Sequence, residues 1–105
     1  MSRLGRVRVA GHSMEPSLRH GDELLYVGLP PRPGSVVVAR DLRDEIADRL
    51  VVKRVAAIDG DDVILESDHP GHEGLLVDRA AIVGRVVLRF RWTSSFGAVK
   101  NGPLR

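Results

Sequence analysis

Two side chains in this sequence have the type and surroundings that acyl-transfer chemistry needs, Ser13 and Lys53. Ser13 follows the run Val-Arg-Val-Ala-Gly-His at residues 7–12 and precedes Met14, Glu15 and Pro16. Val7 and Val9 alternate with Arg6, Arg8 and Ala10, which is the period of a short half-buried strand, and Gly11 breaks it. Ser13 is a good N-cap type, so with Glu15 and Pro16 in the next turn it is predicted to open a brief helix or 3₁₀ turn that Gly21 and Asp22 close. A serine at that junction carries its hydroxyl clear of the strand, beside free backbone N–H groups, as a nucleophile with an oxyanion hole requires. By itself such a serine is a turn cap, and a base must be found before catalysis is argued.

The search for a base ends at Lys53, inside the apolar stretch Leu-Val-Val-Lys-Arg-Val-Ala-Ala-Ile at residues 50–58. With a strand period of two, Val51, Lys53, Val55 and Ala57 share one face, while Val52, Arg54 and Ala56 share the other. A lysine flanked by valines is either an edge residue that resists aggregation or a desolvated amine. Desolvation would bring its pKa from ~10.4 toward the ~7–8 range where it acts as a base. Neutral Lys53 would then take the proton from Ser13. The histidines serve less well. His12 adjoins Ser13 but points to the opposite side of an extended chain. A Ser13/His69/Asp68 triad needs an unusual loop, because Asp68 and His69 are adjacent. His69 and His72 flank Pro70 and Gly71 at a spacing that a metal can use, but no third ligand is evident, so no metal or other cofactor is expected.

Other elements must hold the two residues together. Residues 23–27 read as a strand, stopped by a segment at 28–34 with three prolines. Residues 35–40 are a Val-rich strand, 41–49 a charged connection with room for one helical turn, and 50–58 the lysine strand. Residues 59–62 are an Asp-Gly hairpin turn, from which 63–66 return. Residues 67–74 form a polar loop, and 80–91 a long strand in which Gly84 invites a bulge or bend. On that strand Arg85, Arg89 and Arg91 are predicted to share one face, a solvated one rather than a phosphate site. Strands and turns recurring at this spacing point to an all-β barrel or coiled sheet.

Composition excludes several classes. Hydrophobic content of 43% supports one folded domain, whereas 4% aromatic residues give little to stack on bases. A net charge of +2, from 16 basic and 14 acidic residues mixed along the chain, is too balanced to imply nucleic acid, although the pI is about 9.7. There is no cysteine, hence no disulfide and no thiolate site. No apolar run approaches the ~18 residues that span a bilayer, and a soluble, cytoplasmic chain is expected.

Taken in order, Gly11-His12-Ser13-Met14-Glu15-Pro16-Ser17-Leu18, Gly21-Asp22, Gly34 with Val36-Val37-Val38, Val52-Lys53-Arg54-Val55 and Gly60-Asp61 resemble the motifs of the type I signal peptidases. The self-cleaving SOS repressors share much of the same Ser/Lys pattern. The resemblance spans roughly residues 7–91. It implies a mostly β fold, a coiled sheet or open barrel, and peptide hydrolysis by a Ser-Lys dyad. Ser13 would be the nucleophile and Lys53 the general base, with Gly11, Ser13 and Met14 forming the oxyanion and substrate-binding positions. Signal peptidases also carry a Gly-Asp-Asn segment and a downstream Ser-x-Asp-Ser-Arg. Ser67-Asp68-His69-Pro70 resembles only the first part of these, and Asp78-Arg79 is a poor stand-in for the second. The hydroxyl that orients the lysine is therefore left open, with Ser67 the candidate. The anchor and large insertion of the bigger signal peptidases are not seen, so the expectation is a minimal soluble catalytic domain at residues 1–92 with a Ser/Gly-rich, partly disordered tail at 93–105. Among small forms it looks most like the nickel superoxide dismutase maturation proteases.

The implied partner is a precursor protein or peptide cut in trans, with no nucleic acid and no membrane segment in this chain. The alternative is a catalytically silent β-rich binding module on the same scaffold. A self-cleaving repressor fragment is disfavoured, because the stretch before Ser13 leaves no room for a DNA-binding domain and a cleavable linker.

Overall fold

The computed structural model describes residues 3–41, 49–72, 74–91 and 95–98. They form eight strands: β1 (Leu4–Arg8), β2 (Glu23–Val27), β3 (Val36–Asp41), β4 (Arg49–Asp59), β5 (Asp62–Glu66), β6 (Leu75–Asp78), β7 (Ile82–Arg91) and β8 (Ser95–Ala98). The sheet runs β1-β2-β7-β3-β4-β5-β6, with β8 also pairing β7, and every pairing is antiparallel. β1 and β6 end the path unpaired with each other, so the mostly β fold is an open coiled sheet, not a closed barrel.

The Val-rich sequence of β3 follows from its place. With β7 on one side and β4 on the other, its two faces both meet apolar layers. Val36 and Val38 pack with Val9, Met14, Leu18, Leu24 and Val86. Val37 and Ala39 pack on the opposite face with Val55, Val63, Leu65, Val77 and Ala81. All four of these β3 residues are 0% exposed. A strand buried on both faces loses the apolar/polar alternation and reads as a continuous apolar run. The first layer includes Met14 and Leu18 from the Ser13 turn, so that turn is anchored by its own side chains.

Bulges set the details. Register shifts at Val38/Ala39, opposite Gly84 and Ile82, bend β7 beside the glycine marked for it. A Cβ at Gly84 would lie 2.6 Å from the Val27 carbonyl oxygen, so a larger residue cannot sit there. A second shift at Leu25/Tyr26 skips Val87 and corrects the arginine reading. Arg85 pairs with Val37, whereas Arg89 pairs with Leu24, a residue of the other layer. One inserted residue reverses the alternation, so the three arginines do not share a face.

Other expectations also change. Residues 80–81 belong to a 3₁₀ turn, Arg79–Ala81, capped by the Asp78 carboxylate accepting from the Ala80 N–H at 2.8 Å. The four-residue β6 was not foreseen, and the segment expected to be a partly disordered tail contributes β8. The rest of that tail, and the charged connection at 42–48, lie outside the described residues.

Candidate active site

The Ser13 turn is a closed loop between β1 and β2. Gly11 begins it at φ +87°, a backbone conformation that side chains with a Cβ rarely adopt. The Glu15 N–H donates to the His12 carbonyl at 3.1 Å and the Leu18 N–H to the Met14 carbonyl at 2.9 Å, so the segment makes one helical turn and does not continue as a helix. Its ends are tied by the Val9 N–H to the Asp22 carbonyl and the Gly21 N–H to the Val9 carbonyl, both at 2.8 Å. Asp22, 2% exposed, accepts from the Arg19 N–H at 2.8 Å and from Arg91 Nε and Nη2 at 2.9 and 3.0 Å. The Gly-Asp pair that closes the turn in sequence is thus a clasp to β7.

Burial alone would raise the Asp22 carboxyl, but the Arg91 and Arg19 hydrogen bonds and the charges of Arg91 and Arg89 hold it below the usual carboxylate range. A depressed folded pKa stabilises the fold above the unfolded value of ~3.9, and that contribution is lost as pH falls through the folded value. Asp22→Asn is expected to cost about 1–3 kcal/mol at pH 7. The gap to wild type should shrink below about pH 4 in denaturant melts. An unchanged gap at every pH would show that the carboxylate charge is not what holds the clasp.

Across the cleft, β4 and the loop after β5 make two side-chain pairs, each with partners fourteen residues apart. Lys53 Nζ donates to Ser67 Oγ at 2.7 Å. Arg54 meets Asp68 through Nε–Oδ1 and Nη2–Oδ2, both 2.9 Å, and its Nη1 donates to the Gly34 carbonyl at 2.8 Å. The Arg54 and Asp68 side chains are 3% and 1% exposed. Register explains the partnership. Arg54 pairs with Glu66, so one step further along the antiparallel ladder Lys53 comes opposite Ser67. The two pairs fall on opposite faces of β4, as alternation demands. Lys53, itself half-buried, lies between Val51 and Val55, which pack in the second apolar layer.

Ser13 and Lys53 line one cleft of about 180 Å³, with residues 8–10, 13 and 14 on one wall and residues 49–53 on the other. The loop after β5 ties the walls together, since the His69 N–H donates to the Ser13 carbonyl at 2.8 Å. Residues 2–87 match the peptidase S24-like family. The chain belongs to the peptidase S24-like family. Its mostly β fold agrees with that membership, which makes it a peptidase domain. No curated relative matches the chain.

The remaining candidates of this S24-like domain fall into place around the cleft. Met14 lines it while packing in the first core layer. Gly11 is not among the residues that line it, and its N–H donates to His20 Nδ1 at 2.9 Å. No described hydrogen bond uses the Ser13 N–H or the Ser13 hydroxyl. His12 pairs with Glu15 on the exposed side. The Ser13/His69/Asp68 triad is not formed: Asp68 is held by Arg54, and His69 Nδ1 faces the Pro70 carbonyl at 2.8 Å. Among the described residues no group of three or more His, Asp or Glu is placed to hold a metal ion, and no helix is long and apolar enough to cross a membrane. Sequence reasoning missed the Arg54–Asp68 pair and left Ser67 open. The signal was Lys-Arg and Ser-Asp at equal distances about the Asp-Gly turn, which folds one dipeptide onto the other.

Proposed function

We propose that this domain is a serine endopeptidase that removes an N-terminal peptide from a precursor protein in trans, with Ser13 as nucleophile and Lys53 as general base. The observation that carries the reading is the cleft that Ser13 and Lys53 share, where Lys53 Nζ donates to Ser67 Oγ at 2.7 Å.

Ser13 Oγ attacks the scissile carbonyl carbon as its proton passes to Lys53 Nζ. The carbonyl electron pair moves to oxygen, where the Ser13 N–H stabilises the oxyanion. Collapse breaks the C–N bond, and the Lys53 ammonium gives its proton to the leaving amine. Water, deprotonated by Lys53, then hydrolyses the acyl-Ser13 ester. Ser13 and Lys53 make no described hydrogen bond with each other, and such contacts often tighten only in the substrate complex. Substrate would enter as an extended segment along the walls before Ser13 and Lys53, by strand addition.

Ser67 is a positioning residue in this scheme. Ser67→Ala is expected to lower kcat by about 10–100-fold with little change in KM, while the fold persists. Equal activity in the variant would remove Ser67 from the mechanism, and Ser67→Thr should restore part of the loss.

A fluorophosphonate probe should label Ser13, as located by peptide mass mapping, and incubation with candidate precursors should yield one new N-terminus. Nickel superoxide dismutase precursor is the first to try, given the resemblance of the sequence to the small maturation proteases, and we place the reaction in the cytoplasm. Absence of both labelling and cleavage would favour the silent binding module. The S24-like match favours a second reading, self-cleavage, since self-cleaving SOS repressors belong to the same superfamily. Cleavage of the chain itself at a rate independent of its concentration would select that reading.

A further inference from the structure

The cleft also carries basic side chains. Arg8, at the end of β1 before the Ser13 turn, and Arg49, four positions before Lys53 in β4, both line it, together with the apolar Val9, Val51 and Val52. Arg49 is exposed and makes no ion pair among the described residues. Arg8 is held at the rim by Glu23, with Nη2 donating to Oε1 at 2.9 Å, and Arg6 stands 3.7 Å from the same carboxylate. That single carboxylate serves both guanidiniums, and among the described residues none lines the cleft. A substrate segment running from Ser13 along these walls therefore meets apolar surface first and two guanidiniums after it.

We infer that the cleft recognises an extended peptide carrying an acidic side chain about four residues from the scissile bond, with Arg49 the principal contact and Arg8 the second. The spacing is that of the wall: Arg49 precedes Lys53 by four positions in one strand, about 13 Å at the rise of an extended chain. A carboxylate reaching that point exchanges its water for a guanidinium fork on one side and a second cation opposite, whereas a lysine there meets like charge. The apolar floor between leaves the residues nearest the cut to be chosen by size instead of charge. The inference rests on the peptidase reading, because it takes the cut to occur at Ser13.

Two measurements separate the inference from that reading. The first is cleavage of a peptide library by the wild-type chain, scanning Glu, Gln and Lys at each position either side of the cut. Glu at the distance given should raise kcat/KM over Gln by about threefold to tenfold, mainly through KM, and the preference should fade at high salt. Arg49→Glu, an exposed change that leaves the core intact, should reverse the preference toward Lys. Cleavage with a flat charge profile, or a preference unchanged in Arg49→Glu, overturns the inference and leaves the peptidase standing. The second is binding of fluorescein-labelled Glu and Gln peptides to Ser13→Ala by polarisation. Tighter binding of the Glu peptide without any cleavage by wild type keeps the recognition and removes the peptidase. Neither binding nor cleavage removes both.

Discussion

Ser13→Ala and Lys53→Met should each lower peptide cleavage by on the order of 10³–10⁶-fold, and the double variant should be no slower than either alone. In the proposed mechanism the two side chains share one proton transfer, so removing either abolishes the same step. Any residual rate would come from substrate held in the cleft near an oxyanion donor. Single-turnover assays with excess enzyme, on the four proteins of the cycle, measure this directly. If Lys53→Met cleaves at near-normal rate, the base lies elsewhere, and the half-buried amine beside Ser67 is structural. If the losses in the single variants multiply in the double, the residues act at separate steps. Folding is a weak objection to these variants: Met keeps the lysine stem between Val51 and Val55, and Ala at 13 removes a hydroxyl with no described partner.

The second large effect lies one residue along. Arg54→Met should destabilise the domain by about 3–5 kcal/mol, because it leaves the Asp68 carboxylate, 1% exposed, without its guanidinium. The Gly34 carbonyl loses a donor in the same substitution. Activity should fall further than stability explains, since Asp68 lies between Ser67, which holds Lys53, and His69, which holds the Ser13 carbonyl. Arg54→Lys should recover little, as an ammonium cannot reproduce two parallel hydrogen bonds to the carboxylate and a third to Gly34. Arg54→Met combined with Asp68→Leu should regain much of the stability without the activity, because paired buried charges can be replaced together by apolar groups. Urea melts and kcat for the four proteins decide it. A loss below 1 kcal/mol in Arg54→Met would mean that water reaches Asp68 and that the pair is not what holds the loop.

Much of this arrangement was legible because strand alternation and turn chemistry are local. Residues 23–27 form β2, the Asp-Gly turn closes β4 onto β5, and the Val-rich run becomes the strand buried on both faces. Ser13 and Lys53 could be nominated because each stands out against its own neighbours. What was not legible depends on pairing between strands. The skipped Val87 moves Arg89 and Arg91 away from the face of Arg85, and no periodicity within β7 announces it. β6 escaped notice because Leu75-Leu76-Val77-Asp78 is too short to show a period, and its strand character comes from β5 beside it. Ser67 stayed only a candidate and Asp68 was weighed for a triad instead of a guanidinium partner, because their meaning lies in what is opposite them.

The irregularity in β4 shows how narrow that margin is. Near the turn the ladder matches Asp59 with Asp62, Ile58 with Val63 and Ala57 with Ile64; Ala56 is then passed over, and Val55 meets Leu65. Continued without the skip, the count would set Lys53 against Asp68 and Arg54 against Ser67. The amine would stand opposite the carboxylate and the guanidinium opposite the hydroxyl. A single alanine with no functional group of its own thus acts as the frame of a two-letter code. It decides which of two adjacent cations is clamped on the Asp68 carboxylate to brace the fold and which is set on the hydroxyl of Ser67.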